Sequence, residues 1–248
     1  MANIKSAISF GLVNIPVVYT PIIHNNDMTF HQLHKKCGHR IQYQKYCNHC
    51  KKQVKEIDLV KGYEVEENEF ITFTKDELAN MRIDLKGTIE VVAFVPEKEI
   101  PPFYYEKTYV LSPPKKEKAY SLFLEVLKKS GKVAVAKTTL GTKFYYCLLR
   151  FYEGVILMST MYFEEEVEIP ETVTTAAFSK QEFDLALKLV DQLASHFTPE
   201  DYQDDYQKQI KEAIQKKQEG KTISKKKSTK APSVKDLMTS LQKSLEAK

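Results

Sequence analysis

What most constrains this chain is a succession of short runs rich in β-branched and aromatic residues, each ended by glycine or proline. Residues 5–23 (KSAISFGLVNIPVVYTPII), 89–95 (IEVVAFV), 103–111 (FYYEKTYVL), 132–138 (KVAVAKT), 143–152 (KFYYCLLRFY) and 154–163 (GVILMSTMYF) all have this character. Many short strands with turn signals between them predict a barrel or a sandwich filling the first two thirds of the chain. One helix is expected inside this region, where Tyr120, Phe123, Leu124 and Leu127 fall at helical spacing and Gly131 supplies a C-cap. From Ser179 the period changes for good. Phe183, Leu187, Val190, Leu193 and Phe197 form one helical stripe, and Thr198 with Pro199 reads as the N-cap and first position of a second helix. Residues 216–230 then carry seven lysines and almost nothing apolar, which predicts a solvated linker. After Pro232, Val234, Leu237, Met238, Leu241 and Leu245 make a last apolar stripe of about four turns. Such a stripe needs a partner: the body of the protein, another protein or a second copy. The expected fold is therefore mixed and mainly β, divided into a β core with added helices (1–171), a helical C-terminal segment (172–219) and a basic tail (220–248).

The same residues exclude several classes of function. The longest apolar stretches are about six residues, as in FYYCLL from Phe144 to Leu149, too short to cross a bilayer as a helix. The N-terminal stretch is broken by Asn14 and Pro16 and carries no cleavage signature, so a cytoplasmic protein is expected. The eight glycines are too scattered for a dinucleotide or phosphate-binding turn, and neither a Gly-x-Ser-x-Gly elbow nor a His-Glu-x-x-His helix occurs. A non-enzyme is expected. Charge is uneven: residues 208–248 hold twelve lysines against four acids, a net of +8, so with a total of +4 the first 207 residues net −4. Only Arg40, Arg82 and Arg150 are arginines among the 37 basic residues. The rest are lysines, point charges suited to phosphate more than to forked contacts with base edges.

Two groups of residues could carry chemistry. The first is His34-x2-Cys37-x9-Cys47-x2-Cys50, two chelating pairs separated by a hairpin-length segment, a spacing that suits a tetrahedral zinc ion. His39 or His49 could take the place of His34, and reduced cysteines in a compact hairpin are the alternative. A zinc site with four protein ligands is closed to substrate and hence structural. The second group is Lys132, Lys137 and Lys143 around the hairpin GKVAVAKTTLGTK, with Gly141 near its turn. These could grip phosphates from one β-ribbon or be ordinary surface lysines. Cys147, set among apolar residues, reads as a core thiol, and the tyrosines of the strand runs read mostly as core.

The blocks KSAISFGLVNIPV, FHQLHKKCGHRIQYQKYCNHC, DLVKGYE, EIPPFYYEKTYVLSP, AYSLFLEVLKKSGKVAVAK and GVILMSTMYFEEE, in this order, resemble the bacterial Ku proteins of non-homologous end joining across essentially the first 210 residues. The resemblance implies a Ku-type β-barrel core and a homodimer whose subunits form a ring that threads the end of a linear double-stranded DNA without reading its sequence. It also implies recruitment of the ATP-dependent DNA ligase D by the segment near 172–219, with the protein making no bond itself and residing in the cytoplasm at the nucleoid. On this resemblance Lys132, Lys137 and Lys143 fall where the bridge over DNA would lie. Lys5 and Lys61 are further candidates, and Lys225, Lys226 and Lys227 of the tail would add a modest, salt-sensitive contribution. Two other functions fit the residues: an abasic-site lyase using a Schiff-base lysine, and a zinc-ribbon interaction module whose only nucleic-acid contact is the tail.

Overall fold

The computed structural model describes residues 4–81, 83, 85, 87–170, 174–222 and 237–246. They form two compact units, one made of residues up to 26 and 30–169, the other of 27–29 and the chain from 170 onward.

At the centre of the first unit is a closed seven-stranded barrel. Its strands are β1 (Ile4–Phe10), β2 (Val13–Pro21), β7 (Thr88–Pro96), β8 (Tyr105–Ser112), β9 (Lys132–Leu140), β10 (Lys143–Tyr152) and β11 (Val155–Met161), in the spatial order β1-β2-β8-β11-β10-β9-β7. All neighbours are antiparallel except β7 and β1, which close the ring through the short parallel register Ala7–Thr88, Ile8–Ile89 and Ser9–Glu90. Gly87 tightens this seam, its carbonyl accepting from the Ala7 amide and the Ser6 hydroxyl. Thr138 on β9 adds a hydroxyl bond to the Thr88 carbonyl at 3.0 Å. The runs read as strands thus close into a barrel and not a sandwich, and every strand edge is paired.

The period-2 alternation of the strand residues fills the interior. Ile8, Ile15, Val17, Ile89, Leu111, Ala134, Ala136, Cys147, Leu149, Ile156 and Met158 are all buried in one cluster. The expected helix is α2 (Lys118–Ser130), ended by Gly131 in the left-handed region at φ 61°. It packs on β2, β9 and β10 with Tyr120, Phe123 and Leu127 buried. Phe123 joins Phe10 and Phe94 in an aromatic cluster with ring centroids 5.5–6.4 Å apart. The Tyr120 hydroxyl donates to the Leu111 carbonyl at 2.7 Å and accepts from the Ile156 amide at 3.2 Å, so α2 is tied to the paired ends of β8 and β11.

Between β2 and β7 the chain leaves the barrel for an arm of about 65 residues in which no described residue from 22 to 87 is buried. It holds two two-residue strands, β3 (Tyr46–Cys47) and β4 (Lys52–Gln53), the hairpin of β5 (Lys61–Glu66) and β6 (Glu69–Phe73), and a short helix α1 (Lys75–Asn80). Thr74 and Glu77 form a reciprocal capping box at the start of α1. Neither the β5–β6 hairpin nor α1 is foreseen in the sequence reading.

In the second unit α3 (Lys180–Leu193) begins at Ser179, whose hydroxyl accepts from the Glu182 amide while the Glu182 carboxylate accepts from the Ser179 amide. The expected start of the next helix at Thr198 is corrected. Thr198 makes no side-chain cap, the chain forms only a single 3₁₀ turn at Pro199–Asp201, and α4 (Asp205–Gln218) starts after Asp204, which accepts from the Gln207 amide. Pro199 fits either helix type; the capping carboxylate decides the start. The terminal stripe forms α5 (Leu237–Glu246), which packs against α3, and Leu241 shares an apolar cavity with Phe178, Phe183 and Ala186. Val234 lies outside the described residues.

Replacing Tyr120 with Phe leaves the Leu111 carbonyl and the Ile156 amide without their buried partner. This should destabilise the protein by about 1–3 kcal/mol with an unchanged urea m-value, read from equilibrium denaturation. Cys147 is fully buried, and burial pushes its thiol up to about 12. It should stay unalkylated by iodoacetamide in the native protein at mildly alkaline pH and react fully in denaturant, as read by mass spectrometry. Because its folded pKa is raised, the stability it contributes is complete below the ordinary value of 9.0 and is lost as pH rises from there toward about 12.

Candidate nucleic-acid interface

The β9–β10 ribbon carries the three lysines singled out by the sequence and spreads them along its length. Lys143 opens β10 opposite Leu140, beyond the turn in which Gly141 adopts φ 62°. Lys132 stands at the far end of β9, paired with Pro96. Lys132 and Leu140 are eight positions apart, which at strand spacing is roughly 26 Å. Lys137 sits between them, with Glu90 of β7 and Tyr146 of β10 as its cross-strand neighbours.

Two of these lysines face carboxylates. Lys137 Nζ lies 3.3 Å from Glu90 Oε2, and Lys143 Nζ lies 3.9 Å from Glu166 Oε1. Lys143 also sits 5.0 Å above the Tyr145 ring. Pairs at this exposure are worth little in water and exchange readily for a phosphate partner. Lys132 and Lys5 are exposed, Lys5 on β1 opposite Val18; Lys61 is exposed at the start of β5, in the arm, opposite Phe73. Lys225, Lys226 and Lys227 lie outside the described residues.

Arg150 is a charged residue that the sequence reading left without a role. Its Nη1 donates to Glu97 Oε1 at 3.0 Å and its guanidinium covers the Tyr105 ring at 5.0 Å. It links β10 to the segment that follows β7. Lys128 likewise lies 5.5 Å over the Phe151 ring. A lone arginine in a strand pattern carries no sequence signal for such a role, because both partners come from distant positions. The tyrosines divide: Tyr19 and Tyr120 are buried, whereas Tyr146, Tyr152 and Tyr162 are exposed.

The cysteine and histidine residues of the arm come together as two pairs. His34 Nδ1 lies 3.1 Å from Cys37 Sγ, and Cys47 Sγ accepts from the Cys50 amide at 3.4 Å. That amide, the Cys50 thiol and the His49 amide hold the Cys47 thiol below its ordinary value, while the hydrogen bond to Cys47 raises Cys50. His39 Nδ1 is engaged with the Cys37 carbonyl at 2.9 Å. Among the described residues no three His, Cys, Asp or Glu side chains are gathered as a metal-holding group, so the single four-ligand cluster expected of His34, Cys37, Cys47 and Cys50 stands here as two separate halves. The spacing within each pair fixes the local turn, but nothing in the spacing fixes the distance between the turns. No helix among the described residues is long and apolar enough to cross a membrane.

Comparison with known proteins places this architecture. The family model for the Ku70/Ku80 beta-barrel domain matches residues 9–185, most of the chain and all of the barrel from the last two residues of β1 onward. A protein of Lachnoclostridium phytofermentans is 36% identical over 248 residues, covering 99% of this chain and 96% of its own length. One from Bacillus subtilis is 31% identical, covering 98% of this chain and 80% of itself, and one from Archaeoglobus fulgidus is 33% identical, covering 99% and 98%. Each of the three is named non-homologous end joining protein Ku. With a closed seven-stranded barrel under that match, and kinship running through the arm and the C-terminal helices as well, this chain belongs to the Ku family.

Proposed function

We propose that this protein binds the ends of double-stranded DNA in non-homologous end joining. It acts as a homodimer whose subunits form a ring that threads a linear end without reading sequence, protects and bridges ends, and recruits and stimulates the ATP-dependent DNA ligase D. The observation that carries this reading is the match along nearly the whole chain to relatives named for that process. Its part is that of a scaffold, with bond making left to the ligase, and its place is the nucleoid.

The charge distribution supports such a reading. A body that nets −4 repels DNA at long range, so the lysines that meet phosphate must be local, and 34 lysines against three arginines favour backbone over base contacts. Threading also relaxes the demand on each contact. A ring around duplex leaves only by sliding off an end, which supplies retention that the lysines need not provide. The ion pairs of Lys137 with Glu90 and Lys143 with Glu166 would then hold these side chains extended until phosphate replaces the carboxylate.

The test is a gel-shift comparison of linear duplex, the same duplex with both ends blocked by bulky hairpins, and closed circular DNA at moderate salt. Binding should require a free end; equal binding to circular DNA would overturn threading. Replacing Lys132, Lys137 or Lys143 with Gln should each weaken binding about 3- to 10-fold and reduce the salt slope by about one. Glu90→Gln, which releases Lys137, should tighten binding. Neutralising Lys225, Lys226 and Lys227 together should have only a modest effect that vanishes at higher salt.

A further inference from the structure

The two cysteine-bearing turns of the arm are copies of one another. Shifted by thirteen residues, His34 falls on Cys47, Cys37 on Cys50, Gly38 on Lys51 and Arg40 on Gln53. The backbone obeys the same shift. Leu33, just before the first ligand, bridges Arg40, and Tyr46, just before its counterpart, pairs with Gln53. The His34 amide donates to the His39 carbonyl, and the equivalent residues Cys47 and Lys52 are paired. Directly after the second ligand of each turn the chain enters the left-handed region, at φ 71° for Gly38 and φ 52° for Lys51. A lysine held there is strained, and such strain persists only where its surroundings fix it. Each turn therefore places a His/Cys or Cys/Cys donor pair on one short loop, and in the second the amide of the latter ligand is aimed at the sulfur of the former. Amide bonds of this kind support a sulfur that carries thiolate charge.

Burial does not explain the order of this segment. No residue from 30 to 54 is buried, and its two strands are two residues each, far below what holds a hairpin in water. A segment without a core needs a covalent or metal staple. All three cysteines here are free, and a soft, borderline cation that takes sulfur and imidazole is the staple their chemistry fits.

We propose that the two turns are the halves of one structural zinc site, with His34 and Cys37 from the first and Cys47 and Cys50 from the second closing on a single ion. The register does not pair His39 or His49 with a ligand, although His49 Nδ1 lies 4.0 Å from Cys50 Sγ of its own turn. Neither falls on a cysteine of the other turn, and His39 Nδ1 is already committed to the Cys37 carbonyl. With four protein ligands no position is left for substrate, so the ion orders the arm and takes no part in chemistry.

The full-length protein, purified without chelator, should carry about one zinc per chain by mass spectrometry of the metal. Cobalt added to stripped protein should give the thiolate charge-transfer and tetrahedral bands of a sulfur-rich site. Cys37→Ser and Cys50→Ser should each abolish stoichiometric binding, whereas His39→Ala and His49→Ala should retain it. Because a cysteine variant can misfold, wild-type protein is also to be digested with and without chelator, with cleavage between residues 30 and 54 expected to accelerate while the barrel stays intact. Full metal content in Cys37→Ser, a Cys47–Cys50 disulfide in the unreduced protein, or an arm whose protection depends on protein concentration and not on chelator would each overturn the proposal.

Discussion

An odd number of strands cannot alternate in direction all the way round a ring. In a seven-stranded barrel at least one neighbouring pair must run parallel, and here that pair is β1 and β7. Parallel partners cannot be joined by a tight turn, so a long connection between them is a geometric necessity. Two features of this molecule follow. The seam is short, three residue pairs, and is reinforced by side-chain and backbone bonds to Gly87 and Thr88. The arm lies between the only two barrel strands, β2 and β7, whose connection runs outside the barrel for many tens of residues.

Much of the barrel was legible because its signals are local. Runs of β-branched and aromatic residues mark β8 to β11, and Gly141 marks the turn between β9 and β10. The helix α2 announced itself by its stripe and by Gly131. The β5–β6 hairpin escaped although Tyr63, Glu64, Val65 and Glu66 alternate with the period of two that marks a strand; the run is short and both of its faces are exposed. The start of α4 was misplaced since Thr198-Pro199 is a sound cap by composition, while Asp204 captured the amide six residues later. Such a competition is settled by geometry that residue types do not encode.

The candidate site shows the same divide. That lysines would line the β9–β10 ribbon was readable; that Glu90 and Glu166 would face two of them was not, since those acids arrive from β7 and from beyond β11. The donor pairs of the arm were readable as pairs, because i and i+3 share a turn. Their equivalence under a thirteen-residue shift became visible only once the bridges of Leu33 with Arg40 and Tyr46 with Gln53 could be laid over one another. Family membership and fold agree on the barrel, while the arm is where this chain's own residues say most.

The seam also has a temporal meaning. Strands β9, β10 and β11 meet through turns of two residues and can pair early, whereas the β1–β2 hairpin joins the other strands only through distant pairings, Ala7 with Thr88 on one side and Val18 with Ser112 on the other. Contacts of such separation carry the largest loop-closure entropy and form last. Until then the nascent sheet lies open with β7 and β8 as bare edges, the state in which a β protein is most apt to pair with a neighbour. The arm is thus a tether as well as a projection, and its effective length sets how long the edges wait. A clip within it, drawing residue 34 toward residue 50, would shorten the search of the β1–β2 hairpin for those edges and make the arm an internal aid to assembly of the barrel it interrupts.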